Sequence, residues 1–169
     1  MDNQAAMTPD EDVQTLGELI DDIEVAMMTS VAPDGRLVSR PLATMQADAR
    51  GDLWFFTRAD SGKIDDVSLH PQVNLAYANP SKNLYVSVVG RAQVLRDRAK
   101  IDELWHPGAA AFVPGGKDDP ELVLLKVDVE SAEYWRNASG IVNRVLQLMH
   151  TVTGEGPEAI GENRVLDVR

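Results

Sequence analysis

Two short segments hold the side chains best suited to gripping a compact anion: Ser39-Arg40-Pro41-Leu42 and Thr57-Arg58-Ala59-Asp60-Ser61-Gly62-Lys63. Each lies on, or at the end of, an alternating apolar run of the kind that forms a β-strand. The second closes on a hydroxyl, a glycine and a lysine, which together can open a helix. If the two strands pair as neighbours, Arg40 meets Thr57, Ser61 and Lys63. Two cations, two hydroxyls and free helix-start amides then face one point, a chemistry suited to a phosphate dianion. The 169-residue chain carries 27 acidic and 16 basic residues, a formal net charge of -11. A cationic cluster therefore stands out against its background.

The same composition removes other chemistries. An acidic field repels a nucleic-acid backbone, so no nucleic-acid partner is expected. There is no cysteine, which removes disulfides, thiolate metal sites and cysteine nucleophiles and suits a cytoplasmic address. No apolar run approaches the ~20 residues of a membrane span, and the polar start through Asp2 lacks a leader's basic end and apolar middle, so no membrane partner is expected. His70, His106 and His150 are far apart and lack ligand-spaced partners, so no metal is expected. Neither a Gly-x-Ser-x-Gly elbow nor a glycine-rich nucleotide loop is present.

These residues need a frame to hold them. Residues 12–24 place Val13, Leu16, Leu19, Ile20 and Ile23 at helical spacing. Residues 25–31 and 36–46 read as strands joined by Ala32-Pro33-Asp34-Gly35, where proline presets φ and glycine accepts a positive φ. Residues 53–57 form a third strand in which Trp54 belongs to the core. Residues 61–70 make a short helix with Ile64, Val67 and Leu69 facing inward. Strands follow at 72–78 and 84–95, the second with Gly90 marking a bulge or close approach. A helix at 98–105 ends in Trp105, whose indole covers the sheet. Residues 108–120 read as a loop and 121–134 as a sixth strand, with a last helix at 141–152. The adjacent pairs Asp65-Asp66 and Asp118-Asp119 read as solvated. The fold class is mainly β (α+β): a six-stranded antiparallel barrel with short flanking helices. The barrel domain covers residues 12–152, with 153–169 as its tail and 1–11 disordered or loosely attached.

The order of these pieces carries a resemblance. It runs through Val25-Ala26-Met27-Met28-Thr29, Asp34-Gly35, Ser39-Arg40-Pro41-Leu42, Trp54-Phe55-Phe56-Thr57 and Ser61-Gly62-Lys63. It continues through Val86-Ser87-Val88-Val89-Gly90-Arg91-Ala92, Asp118-Asp119-Pro120, Ala132-Glu133-Tyr134-Trp135 and Ile160-Gly161-Glu162-Asn163. Over residues 12–168 this succession resembles the flavin-binding split-barrel superfamily that includes pyridoxamine 5′-phosphate oxidase, and within it the bacterial general stress proteins. The resemblance implies a split barrel and a homodimer with FMN sites between its subunits, FAD being the alternative cofactor. Arg40 and Lys63 would clamp the flavin phosphate, with Thr57 and Ser61 hydrogen-bonding phosphate or ribityl oxygens. Backbone at Pro41 and Leu42 would face the isoalloxazine, and Trp135 would reach it from the partner subunit. Tyr85 stands where the oxidase has a strand glutamine and joins the cofactor-facing set.

Departures from the oxidase pattern bear on function. Met45 replaces a lysine, and the oxidase's substrate-gripping Arg-Leu-His has no counterpart after Trp135, Arg144 being out of register. A second phosphate would find no receptor. The expectation is a flavin-binding stress protein, either non-catalytic or a flavin-dependent oxidoreductase in which no residue stands out as acid or base. The alternatives are a genuine pyridoxamine or pyridoxine phosphate oxidase, or a binder of deazaflavin or haem. Removing Arg40 or Lys63 is expected to weaken flavin binding while barely changing the melting of the flavin-free protein.

Overall fold

Alternating burial along the strands rolls the chain into a barrel. The computed structural model describes residues 9–136 and 162–168. The strands are β1 (Val25–Val31), β2 (Leu37–Ala47), β3 (Leu53–Arg58), β4 (Gln72–Asn79), β5 (Leu84–Leu95), β6 (Leu122–Arg136) and β7 (Glu162–Asp167). The helices are α1 (Pro9–Asp21), α2 (Gly62–Leu69) and α3 (Arg98–Leu104), with 3-10 turns at Pro80–Lys82 and Pro107–Ala111. The sheet order is β3-β2-β1-β4-β5-β6-β7, every pairing is antiparallel, and β3 returns to pair with β6. That return closes six strands into the expected antiparallel barrel. The long β6 makes closure feasible: Leu122 to Val127 pair with β3, while Ser131 to Arg136 pair with β7.

Local chemistry sets the corners. The β1–β2 turn closes with Gly35 at φ 84° and its N–H donating to Ala32 O, a conformation glycine adopts without steric penalty. At Gly90 the β5–β6 register slips, and a Cβ there would sit 2.5 Å from Asp128 O; the strand needs the bare backbone. The expected last helix at 141–152 lies outside the described residues, whereas the strip from Arg164 docks as part of β7.

Two apolar clusters result. The barrel interior is filled by residues such as Met28, Phe55, Leu75, Tyr77, Val88 and Leu125, and α1 adds Leu16, Leu19 and Ile20. A second cluster packs Trp54 and Phe56, on the outer face of β3, under Ile101 and Leu104 of α3 with Ala109 and Val113 beyond it. Trp54 is thus a core residue, its indole N–H donating to Asp48 Oδ2 at 2.9 Å. Trp105 packs against the same cluster, 5.7 Å from the Phe56 ring. The inner face of α2 differs from expectation: Asp66 and Val67 are buried while Leu69 is exposed.

Candidate functional site

The site lies where the barrel splits. β2 and β3 pair only from Thr44/Phe55 to Ala47/Leu53. Beyond Thr44, β2 stays with β1 and β3 stays with β6, so Pro41-Leu42-Ala43 and Phe56-Thr57-Arg58 diverge. The gap becomes a cleft of about 410 Å³ lined by both strand edges, by Asp60, Ser61 and Lys63, and by Phe112. Its lining combines polar and charged groups (Thr57, Arg58, Asp60, Ser61, Lys63) with apolar ones (Pro41, Leu42, Ala43, Phe56, Phe112).

Lys63 ties the polar groups together. Its Nζ donates to Thr57 Oγ1 at 2.9 Å and to Ser61 Oγ at 2.8 Å, and it makes no ion pair with any described carboxylate. Burial, and then the charge of Arg40, push its pKa below the ordinary lysine value. Ser61 sits at the N-cap of α2 but makes no capping bond, its hydroxyl serving Lys63 instead. Ile64 N–H donates to Ser61 O at 2.8 Å, which leaves the Gly62 and Lys63 amides, without partners within the helix, open to the same anion.

Arg40 reaches the site from the barrel interior. Its register partner is Met28, itself opposite Leu75, so the side chain shares the inward row with two core residues. Nη1 donates to Asp66 Oδ2 at 2.8 Å and to Ser30 Oγ at 3.1 Å, and Ser30 Oγ donates to the same Oδ2 at 2.8 Å. Burial opposes ionisation of Asp66, but the bonds from Arg40 and Ser30 outweigh it and hold the carboxyl below its ordinary pKa. Nη2 points toward Gly62, 4.0 Å from where a Cβ there would stand. Asp66 aims the guanidinium and Lys63 supplies the uncompensated charge.

Pro41, Leu42, Thr57, Ser61 and Lys63 therefore line one cleft, while Arg40 lies behind it, paired with Asp66 and close enough for its charge to act on Lys63. Tyr85 and Trp135 are elsewhere within one chain: they face each other across β5 and β6, 43% and 38% exposed, and neither lines the cleft. Sequence reasoning missed four residues that shape the site. Asp66 and Asp119, expected to be solvated, are not: Asp66 is buried with Arg40, and Asp119 is nearly buried against Arg58 at 3.0 Å. Arg58 also forks onto Asp60 through Nε and Nη2, both at 3.0 Å. Phe112 is the fourth. Helical spacing was the available signal for Asp66, since 63, 66 and 67 share one face of α2.

Comparison with known proteins gives the family and the fold. Residues 11–158 match the model of the pyridoxamine 5′-phosphate oxidase-like family. The chain belongs to that family. Among its relatives, the Neurospora crassa protein bli-3 is 26% identical over 165 residues, covering 92% of this chain and 79% of that protein. The general stress FMN/FAD binding protein of Xanthomonas citri is 30% identical with a TM-score of 0.65, over 77% of this chain and 92% of that one. General stress protein 26 of Bacillus anthracis is 22% identical, with a TM-score of 0.63 over 76% and 94% of the two chains, and supports the fold. No described helix is long and apolar enough to cross a membrane, and no described cluster of acidic or histidine side chains could hold a metal ion.

Proposed function

We propose that this chain is a flavin-binding protein of the general-stress type that holds FMN in the split of its barrel. The observation that carries the reading is Lys63: a half-buried ammonium on two hydroxyls, beside a second cation, with no described carboxylate to neutralise it. Such a group is costly unless an anion completes it. The FMN/FAD-binding relative in Xanthomonas citri supports a flavin as that anion. FMN fits better than FAD because Arg58, the remaining cation on the cleft wall, is already engaged by Asp60 and Asp119. A second phosphate would meet a locally acidic rim.

Bound flavin supplies redox chemistry; the protein's part is to clamp the phosphate, present strand-edge peptides to the ring and limit water. Two roles share this architecture, a flavin-dependent oxidoreductase and a non-catalytic flavin store or sensor in the cytoplasm. Steady turnover with a nicotinamide donor separates them. The test of the binding reading is titration of the purified protein with FMN. Lys63→Ala weakens FMN by roughly 1.5–3 kcal/mol, the scale of a charge-assisted hydrogen bond. In the parent, affinity is full where Lys63 is protonated and falls as pH rises through its lowered pKa, below the usual value of about 10.4. A parent that takes up no FMN, or a Lys63→Ala variant binding like the parent, overturns the reading.

The active unit proposed is a homodimer. Val25 and Met27 on β1, Tyr85 and Val89 on β5, Trp135 on β6 and Val165 on β7 are all exposed on the outer face of the barrel. An apolar surface of this breadth favours a partner, and a second copy covering it would bury Trp135 in an interface. Dilution to monomer then releases flavin, read as a rise in free-FMN fluorescence coincident with dissociation. A monomer that keeps one FMN per chain argues against this arrangement.

A further inference from the structure

We propose that Phe112 is the residue that holds the flavin ring in the cleft, beside Pro41 and Leu42, an inference that rests on the flavin reading above. Exposure alone says nothing, because single apolar side chains are common on surfaces. The backbone around Phe112 says more. Ala109 is fully buried and Val113 nearly so, both in the second cluster. The N–H groups of Phe112 and Val113 both donate to Ala109 O at 3.0 Å. One tight turn is thus pinned on both sides of Phe112, and the phenyl, 47% exposed, is left lining the cleft with Pro41 and Leu42.

The loop after it is fixed rather than free. Gly116 adopts φ 74°, and Asp119 N donates to Gly116 O at 3.2 Å. Gly115 lies so close to Asp119 that a Cβ would stand 2.2 Å from its Oδ2. Arg58 holds Asp119 from the cleft wall, and Arg98 holds Lys117 O at 2.7 Å and Asp118 at 2.6 Å. A phenyl on a segment braced this way loses little freedom when a ligand arrives. Sharing one cleft with Lys63, it selects a ligand that is anionic at one end and flat and aromatic at the other. That extends the recognition beyond the phosphate.

The experiment measures FMN dissociation constants and bound-FMN emission for the parent, Phe112→Ala and Phe112→Trp. Emission is read in a Trp135→Phe background so that Trp135 does not mask it. Phe112→Ala is expected to weaken FMN about tenfold, as loss of one aromatic stacking contact does, with unchanged melting of the flavin-free protein. Phe112→Trp is expected to quench bound FMN by placing an electron-rich indole on the ring. Parent-like affinity in Phe112→Ala, or parent-like emission in Phe112→Trp, overturns the inference while leaving FMN binding by the parent intact. A parent that binds no FMN instead removes the flavin reading, and this inference with it.

Discussion

Arg40→Ala is expected to lower the melting temperature of the flavin-free protein as well as its flavin affinity. The residue types alone suggest a ligand-only role with little effect on melting, and the structure corrects that. The Asp66 side chain is 4% exposed, and Arg40 is its only ion-pair partner among the described residues. Truncating Arg40 leaves a buried carboxylate with one hydrogen bond, from Ser30, and only the more distant charge of His70. Breaking a buried pair from one side costs about 3–5 kcal/mol, and Arg40 is itself 29% exposed, which places this case near the lower end. A loss of about 3 kcal/mol corresponds to a fall of roughly 6–12 °C for a domain of this size. The pH dependence has a definite sign. Asp66 in the parent titrates below its ordinary value, so its stabilisation is complete above about pH 4 and is lost as pH falls through the folded pKa. In Arg40→Ala burial is no longer outweighed and the carboxyl prefers its proton, so the defect is largest at neutral pH and shrinks on acidification. Arg40→Ala/Asp66→Asn recovers most of the melting temperature without recovering flavin. Equal melting of Arg40→Ala and parent at pH 7 would falsify the pairing.

How much of this was legible in the sequence follows from which interactions are local. The β1–β2 turn, the bulge at Gly90 and the Thr57…Ser61-Gly62-Lys63 turn are written in residue types a few positions apart, and they appear where the sequence placed them. That Lys63 reaches back to Thr57 and Ser61 is the same kind of local fact. Arg40 is different. Its type was readable, but its inward direction depends on the β1–β2 register, and its partner depends on α2 docking against β1. Asp66 looked solvated because an acidic pair on a short helix usually is; only the packed barrel end, where Ser30 is 1% exposed, turns one carboxylate inward and leaves Asp65 out. Phe112 was hidden for a plainer reason. A loop rich in glycine and aspartate carries no periodicity, and the segment after the phenyl is braced by Arg58 and Arg98, which come from other elements of the fold. Tyr85 and Trp135 rest on the family resemblance instead, and the register puts them together on the outer face of one chain, where only a partner subunit could bring Trp135 to a flavin.

Loaded with FMN, this protein is expected to form no appreciable pyridoxal phosphate from pyridoxamine or pyridoxine phosphate. The oxidase grips its substrate's phosphate with cations beyond those that hold the cofactor, so the decisive question is which cations here remain after FMN is bound. By the resemblance, Met45 stands where the oxidase has one of them. It lies at the β2 bulge and packs against the second apolar cluster, leaving no charge to offer. The nearest lysines are already committed: Lys100 donates to Gln46 and Glu103 at 2.8 and 2.7 Å, and Lys126 pairs with Asp52 and Asp128 at 2.8 and 2.5 Å. Both also lie over the Trp54 ring, at 4.9 and 5.7 Å. Arg58 is held by two carboxylates, and Arg136 leans on Tyr134 at 5.8 Å. Losing two charge-assisted contacts at about 1.5–3 kcal/mol each weakens substrate binding by roughly two to four powers of ten. The -11 charge of the chain opposes an anionic substrate further, and added salt should reduce that part alone. Following pyridoxal phosphate formation beside a working oxidase decides the matter. Sustained, FMN-dependent product would mean that one of these engaged cations leaves its present partner for the substrate, and the oxidase reading would then replace the stress-protein one.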